Sequence, residues 1–347
     1  IRTRGEVVMG YTIAVLGASG NVGREMLSIL DERDFPVSDV YALSSSRSSG
    51  QEVSFGDKGI LKLQDAEGFD FSKVDILLSS AGGKISEEYA PKAAAAGAIV
   101  IDNTSHFRMD EGVPLIVPEV NGHVLEQGIP KNIIANPNCS TIQMVVALKA
   151  LHDAVGVERV NVATYQSVSG AGKEGMDELF NQTRKFFVTE RDQPDVFAKP
   201  IAFNIIPQID IFMDDGQTKE EWKMAVETKK IMGADIAVNA TCVRVPVFIG
   251  HSLAMHVECS EKIDPKQARK LWREQEGVTV IDVQSELEYI TPSEIAGEDN
   301  VFISRVRRDP TIENGLNFWC VADNLRKGAA LNSVQIAELL VQKNLLG

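Results

Sequence analysis

A strand, a glycine-rich turn and a helix follow one another near the start of the chain, in YTIAVLGASGNVGREMLSILDER (11–33). Its glycines are spaced G-x-x-G-x-x-G, a variant of the commoner G-x-G-x-x-G turn. Glycines here allow a tight turn and a close approach of the backbone to a ligand, while the helix N-terminus offers free N–H groups to a pyrophosphate. The motif predicts a dinucleotide-binding turn formed by Gly17, Ala18, Ser19, Gly20, Asn21 and Val22.

Apolar strands alternate with helices after this turn. The pattern predicts strands in VYALSSS (40–46), VDILLSSAGG (74–83), AIVIDNTS (98–105) and LIVPEV (115–120), with a helix in EEYAPKAAAAG (87–97). Such alternation is typical of a parallel sheet covered by helices, whose ligands bind beyond the carboxyl ends of the strands. We therefore expect an α/β fold with a Rossmann-type doubly wound parallel sheet.

The serine-rich segment after the second predicted strand bears on the choice of cofactor. A site that prefers NAD usually carries Asp or Glu here to bind the ribose 2′-hydroxyl. This chain has Ser44, Ser45, Arg47 and Ser48 instead, and a guanidinium with hydroxyls suits a 2′-phosphate. A polar loop would have the same composition, but the glycine turn upstream favours NADP.

Cys139 lies in NIIANPNCSTIQMVVALKAL (132–151), a pattern that indicates a strand, a proline turn and a helix. Asn138 or Ser140 can cap that helix, which places the cysteine in its first turn. A helix N-terminus favours a thiolate, and its N–H groups can hold an oxyanion. Cysteine is more often a small buried hydrophobe, but the polar flanks and the position after a strand favour a nucleophile.

Two later segments, VATYQSVSGAGKEG and TCVRVPVFIGHSLAMHVE, each run from a predicted strand into a glycine-containing turn. The first offers Gln166 and a turn at 170–172 that a cofactor ring could approach closely. The second offers Arg244 and His251. Histidine is the side chain whose unperturbed pKa lies near neutrality, so His251 is a candidate proton acceptor for the thiol.

Other candidates stay open on spacing alone. His106 and His123 lie in predicted loops and could also serve as the base, whereas His152 lies inside a helix and is expected to be structural. Arg108 follows a predicted strand and fits either a solvated loop or an anion site. The helix TKEEWKMAVETKKIMG aligns three charges on one face, which fits either a solvated ion-pair stripe or a site: Glu220, Lys223 and Glu227.

Composition excludes several classes of protein. The 347 residues include 35 Lys and Arg against 49 Asp and Glu, a net charge of −14, which argues against a nucleic-acid surface. The four cysteines and five histidines show no spacing for a disulfide framework or a metal site. The chain has no apolar run for a membrane span and no signal peptide, so we expect a cytoplasmic protein. Residues 1–8 are predicted to be an extension or tag remnant before Met9.

Taken in order, GASGNVG, SSRSSG, NPNCST, QSVSGAG, EEWKMAVETKKI, CVRVPVFIGHS and DNLRKGAALNSVQIAE resemble the motifs of aspartate-β-semialdehyde dehydrogenases. The resemblance spans residues 10 to 345, approximately. It implies conversion of L-aspartate-4-semialdehyde, phosphate and NADP+ to L-4-aspartyl phosphate and NADPH through a cysteine thioester. In that family the physiological direction is the reverse, which feeds lysine, methionine and threonine synthesis, and the resemblance implies the same here.

The resemblance also implies roles for individual residues. Cys139 is the nucleophile, His251 the acid/base and Gln166 the residue that orients the substrate. Arg244 binds the α-carboxylate and Glu220 the amine. The remaining expected ligands are Lys223, Arg108 and Asn138 for phosphate, and Ser169, Gly170 and Asn324 for the cofactor.

The implied organisation is discontinuous. Residues 9–138 and 326–347 are expected to form the NADP-binding domain, and 139–325 an α+β catalytic and dimerisation domain with a mixed or antiparallel sheet. Its strands are predicted near 160–168, 238–250, 253–259 and 316–322, and the protein is expected to be a homodimer. Two alternatives are an enzyme like N-acetyl-glutamyl-phosphate reductase, whose cysteine turn is of the N-P-G-C type, and a catalytically silent NADPH-binding regulator.

Overall fold

The computed structural model describes residues 10–188 and 193–346. The predicted extension at 1–8, Met9 and the charged residues 189–192 lie outside this part of the chain. The described residues form two compact units. The first unit runs to Pro114 and also contains His123–Asn136 and the residues from Ser333 onward, and the second contains Leu115–Gly122 and Pro137–Asn332.

A fully parallel six-stranded sheet forms the core of the first unit. In chain order the elements are β1 (Tyr11–Leu16), α1 (Asn21–Glu32), β2 (Val37–Ser44), β3 (Glu52–Ser54), β4 (Ile60–Lys62), β5 (Gln64–Asp65), β6 (Ile76–Ser79), α2 (Gly83–Ala95), β7 (Ile99–Asp102) and β8 (Ile133–Ala135). The sheet order is β5-β2-β1-β6-β7-β8, and β3 pairs with β4 as a separate hairpin. Strands β2 and β5 lie on one side of β1, and β6, β7 and β8 lie on the other. The strand order therefore reverses at β1, and in such sheets ligands bind at this point, beyond the carboxyl ends of the strands. The predicted doubly wound sheet is confirmed.

A mixed six-stranded sheet forms the second unit. Its elements are α3 (Pro118–Asn121), α4 (Cys139–Val155), β9 (Val157–Gln166), α5 (Gly172–Phe186), α6 (Lys219–Met232), β10 (Ala237–Arg244), β11 (His251–Cys259), α7 (Pro265–Glu274), β12 (Val278–Val280), β13 (Val301–Arg308), β14 (Gly315–Ala322) and α8 (Leu331–Gln342), which ends in the first unit. The order is β10-β9-β11-β14-β13-β12, with parallel pairs at both edges and antiparallel pairs between them. The predicted mixed sheet is confirmed.

Helix α4 lies at the centre of the second unit. Its residues from Ser140 to Leu148 are all buried, and it contacts the sheet, α6 and α7. The indole N–H of Trp272 donates to the carbonyl of Ala147 over 2.8 Å. A helix that is apolar on all sides must be buried on all sides, so the first turn of α4, with Cys139, is held by packing along the whole helix.

Three local predictions were wrong or incomplete. No strand continues through 115–120, because Pro118 starts the short helix α3, where a proline without an N–H is tolerated. The strand predicted at 238–250 ends at Arg244, and β11 begins only at His251, since Pro246 and Gly250 interrupt the ladder. The edge strand β12 and its neighbour β13 were not predicted. Residues 326–330 form a π-helical turn that leads into α8.

Candidate active site

The glycine turn of the first unit has the geometry of a phosphate cradle. Gly17 has φ +88°, which favours glycine, and its N–H donates to Leu43. Gly20 caps α1 without a side chain, so the first N–H groups of that helix face the turn. A Cβ at Gly23 would lie 2.3 Å from the carbonyl oxygen of Gly17. These contacts keep the helix close to the strand.

A cavity of about 410 Å³ adjoins this turn within the first unit. Gly17, Ser19 and Gly20 line one side, and Ser44 and Ser45 line another. Arg47 is exposed in the same serine loop and Ser48 is partly exposed. The cavity therefore joins the predicted pyrophosphate turn to the predicted ribose loop.

Two carboxylates that the sequence interpretation missed also line this cavity. Asp65 ends β5, and Glu67 donates its backbone N–H to the Asp65 side chain over 3.0 Å. The prediction looked for an acidic residue at the end of β2, whereas this pair reaches the cavity from the neighbouring strand β5. Only the pairing of β2 with β5 brings the acidic pair there, and no sequence signal specifies that pairing.

Arg108 is buried in the first unit. Its Nε donates to the carbonyl of Asn136 over 2.9 Å and an Nη group donates to the carbonyl of Asn103 over 3.2 Å. A solvated loop cation would be exposed, so that alternative is excluded. The guanidinium also interacts electrostatically with the buried carboxylate of Asp102, and its planar set of N–H donors suits the binding of an oxyanion.

Asn138 and Cys139 lie where the sequence predicted, at the N-terminus of α4. Asn138 is the N-cap, and its side-chain oxygen accepts the N–H groups of Ser140 and Thr141 over 3.0 and 3.1 Å. Cys139 is the first helical residue and is partly exposed. Burial raises the pKa of the other thiols, that of Cys259 to about 11. Those of Cys242 and Cys320 rise further. Cys139 differs from these three thiols in being partly exposed.

Gln166 and α6 meet at Glu220. One oxygen of Glu220 accepts the amide of Asn138 over 2.8 Å and the amide of Gln166 over 3.2 Å. Its other oxygen contacts the Lys223 ammonium at 3.3 Å, and Lys223 also binds Asp210 over 2.6 Å. The side chains of Glu220 and Lys223 are 6% and 12% exposed, so the charged face of α6 is not a solvated stripe. Asp210 was missed because it lies in an irregular segment.

Arg244 ends β10 and is buried. Its Nη1 donates to the carbonyl of Ser167 over 2.7 Å, and its guanidinium lies 5.8 Å from the ring of Phe197. Burial lowers the pKa of Arg244, while Glu220 acts in the opposite direction. The guanidinium remains charged, and the aromatic ring orients its plane. This geometry suits the binding of a carboxylate. Phe197 was missed because it follows the charged segment with no recognisable pattern.

His251 begins β11 and is 0% exposed. Its Nδ1 accepts the N–H of Ser167 over 3.1 Å, which places the proton of the neutral ring on Nε2. Burial holds the pKa of His251 well below its ordinary value, and the Arg244 charge lowers it further. Within the described residues Nε2 has no hydrogen-bond partner. A neutral imidazole with one unsatisfied nitrogen can exchange a proton with a ligand.

Gly170 leaves space in front of both groups. A Cβ at this position would lie 3.0 Å from Arg244 Nη1 and 3.2 Å from His251 Nε2. Asn324 lies against the same turn, because its side-chain oxygen accepts the Gly250 N–H over 2.9 Å and contacts the Ser169 hydroxyl. The predicted residues Ser169, Gly170 and Asn324 are thus brought together. By contrast His106 and His123 are exposed in the first unit, and His152 Nδ1 accepts the Val157 N–H.

Comparison with known proteins defines the class. Residues 12–128 match the semialdehyde dehydrogenase NAD-binding domain, and residues 148–327 match the semialdehyde dehydrogenase dimerisation domain. The chain is thus a two-domain semialdehyde dehydrogenase of the NAD(P)-binding type. Within the described residues no helix is long and apolar enough to cross a membrane, and no three His, Cys, Asp or Glu side chains cluster as a metal site.

Individual relatives narrow this class. Aspartate-semialdehyde dehydrogenase of Aquifex aeolicus is 50% identical over 97% of this chain and 100% of its own. The crystal structure of aspartate semialdehyde dehydrogenase II from Vibrio cholerae complexed with ASA is 51% identical, with a TM-score of 0.93 over 96% of this chain and 98% of that one. The enzyme of Candida albicans, solved with NADP, shares the fold at 22% identity and a TM-score of 0.74, over 96% and 99% of the two chains. The chain belongs to the aspartate-semialdehyde dehydrogenase family.

Proposed function

We propose that the protein interconverts L-aspartate-4-semialdehyde, phosphate and NADP+ with L-4-aspartyl phosphate and NADPH, acting reductively in lysine, methionine and threonine biosynthesis. The observation that carries this proposal is the convergence on Gly170 and Glu220 in the second unit. Arg244 and His251 both approach Gly170, and Glu220 binds both Gln166 and the residue before Cys139. Family membership supports the same reaction.

The residues divide the chemistry between them. The Cys139 sulfur adds to the aldehyde carbon to form a thiohemiacetal, while Arg244 binds the α-carboxylate and Glu220 the amine. His251 exchanges a proton with the substrate oxygen at Nε2, and Gln166 orients the substrate. Loss of the hydride from carbon and of the proton from the hydroxyl leaves a thioester, and attack by a phosphate oxygen expels the Cys139 thiolate and gives the acyl phosphate. The covalent route divides one difficult step into two easier ones.

Binding of the cofactor is assigned to the two groups of residues described above. The turn Gly17–Val22 would hold the pyrophosphate, and Ser169, Gly170 and Asn324 the nicotinamide end. NADP+, when bound, supplies the hydride acceptor. The proposed preference for NADP over NAD rests on Arg47 with Ser44, Ser45 and Ser48, which would bind the 2′-phosphate. The nearby carboxylates of Asp65 and Glu67 line the same cavity and would oppose the binding of that phosphate.

Phosphate is assigned to Lys223 and Arg108, with Asn138 assisting. Lys223 is partly buried and paired with Asp210 and Glu220, so an incoming anion would compete with these carboxylates. The domain boundaries expected from the resemblance, 9–138 with 326–347 against 139–325, stay a prediction.

A homodimer is proposed through the open face of the second-unit sheet. On that face Tyr165 and Trp319 lie with ring centroids 5.5 Å apart, and Ala254 lies between their strands. The sheet falls within the matched dimerisation domain. Ala254→Arg should convert a dimer to monomers in light scattering, whereas Ile60→Arg, on an exposed residue of the first unit, should leave the mass unchanged. A monomeric wild-type protein would contradict this assignment.

Turnover is tested by mixing the protein with L-aspartate-4-semialdehyde and NADP+, with and without phosphate. Phosphate-dependent formation of NADPH is expected. Absence of turnover, in a protein that still binds NADPH, would contradict the proposal. N-acetyl-glutamyl phosphate with NADPH provides the parallel assay for the sibling reductase.

A further inference from the structure

Glu227 lies on α6 two turns after Glu220, and no step of the proposed reaction uses it. Its side chain is buried, at 1% exposure for the residue. One carboxylate oxygen accepts the backbone N–H of Asn138 over 2.7 Å. A buried carboxylate is costly unless it is hydrogen-bonded, so this contact with the residue before the nucleophile requires an explanation.

Asn138 is fixed at each of its polar groups. Its N–H donates to Glu227, and its side-chain amide donates to Glu220 over 2.8 Å. Its side-chain oxygen caps α4 and its carbonyl accepts the Ile142 N–H over 2.9 Å. Glu220 and Glu227 of α6 therefore both bind Asn138, the residue that caps α4. The first residue of α4 is Cys139.

The direction of the Cys139 side chain depends on this turn. Asn138 has φ −61° and ψ 142°, extended values that change to helical values at the next residue. A hydrogen bond between a carboxylate and a backbone N–H is charge-assisted and resists rotation of that peptide. We propose that Glu227 is a positioning residue, which acts through the Asn138 peptide to aim the Cys139 thiol at the substrate. The proposal rests on the proposed function only in treating Cys139 as the nucleophile.

A neighbouring glutamate provides a matched control. Glu221, on the same helix, accepts the backbone N–H of Cys242 over 2.9 Å and so anchors β10 by the same kind of bond. Loss of either anchor should lower stability, but only loss of Glu227 releases the cysteine turn. A purely structural role for Glu227 would make the two variants behave alike.

The test compares Glu227→Ala, Glu227→Gln and Glu221→Ala by steady-state kinetics and by the rate of Cys139 alkylation with iodoacetamide. Cys139→Ser serves as the blank, since the other three thiols are buried. For Glu227→Ala we expect kcat to fall about 10- to 100-fold, with the KM for aspartate semialdehyde within about twofold, and alkylation to slow about tenfold. Glu227→Gln retains an acceptor oxygen and should restore both rates to within about threefold of wild type.

Wild-type kcat and alkylation in Glu227→Ala would overturn the proposal, as would equal losses in Glu221→Ala. If Glu227→Ala does not fold, Glu227→Met keeps a similar volume without an acceptor and takes its place. A wild-type protein that is alkylated at Cys139 but does not turn over substrate would contradict the proposed function, and the alkylation rates would still decide the role of Glu227.

Discussion

The two candidate binding regions differ in the groups that form them, which are backbone groups in the first unit and side chains in the second. The glycine turn of the first unit consists of backbone, with Gly17 at positive φ and Gly23 against the carbonyl of Gly17. The region around Cys139 consists of buried side chains from three parts of the chain that share hydrogen bonds through Glu220. A backbone site follows from local sequence, whereas a side-chain site depends on the tertiary fold. The two regions should therefore respond differently to substitution.

The largest effect is expected in the second unit. Cys139→Ser replaces a thiolate by a hydroxyl that ionises far less readily, and should lower kcat by about 10³-fold or more. NADPH binding, measured by fluorescence titration, should stay within about twofold of wild type because the turn in the first unit is unchanged. Full turnover in Cys139→Ser would refute covalent catalysis.

In the first unit, Gly23→Ala should have the opposite effect and weaken NADPH binding and stability rather than the chemical step. Its Cβ would meet the Gly17 carbonyl at 2.3 Å, so the turn must shift, and we expect a loss of about 1–3 kcal/mol in the free energy of unfolding together with weaker NADPH binding. Gly20→Ala is the control for the unfolding measurement only, since Gly20 belongs to the proposed pyrophosphate turn and its Cβ would come no closer than 3.4 Å to the Gly17 carbonyl oxygen. Denaturant unfolding measures the stability of each variant, and cofactor titration measures NADPH binding by Gly23→Ala. Equal losses of unfolding free energy in Gly23→Ala and Gly20→Ala would show that the close helix–strand contact is unimportant.

A side chain in the first unit sharpens the comparison. Arg47→Glu should raise the KM for NADP+ about 10- to 100-fold, because a charge-assisted pair with the 2′-phosphate becomes a repulsion. The KM for NAD+ should change little. If both KM values were unchanged in Arg47→Glu, Arg47 would not bind the cofactor, and the proposed preference for NADP would lose its structural basis.

The smallest effect concerns pH and stability. Unfolded His251 binds a proton below its ordinary pKa of about 6.5, whereas the folded protein, in which burial and Arg244 lower that pKa, does not. Its neutral form thus favours folding fully above about pH 6.5, and the free energy of unfolding should fall by up to about 1.4 kcal/mol per pH unit below it. His251→Gln removes the buried imidazole and should reduce this slope. Identical slopes in the wild type and in His251→Gln would contradict the burial argument.

Local signals explain which features were predictable. The turn at Gly17 and the helical position of Cys139 each depend on a few consecutive residues, and both were predicted correctly. The cap was narrowed to Asn138 or Ser140, and the structure has Asn138. Asp65, Asp210 and Phe197 reach their positions through strand pairing or irregular chain, for which the sequence carries no short-range pattern. The same limit applies to Glu227, whose spacing placed it on the charged face of α6 but whose partner lies 89 positions away in the chain.

The most direct test of the central claim is to trap the acyl enzyme. The protein is mixed with L-4-aspartyl phosphate in the absence of NADPH, quenched in acid and examined by peptide mass spectrometry. An aspartyl group on the peptide that contains Cys139, absent from Cys139→Ser and released by added phosphate, is the predicted result. An unmodified Cys139 peptide, in a preparation that turns over the same substrate once NADPH is added, would contradict the thioester mechanism.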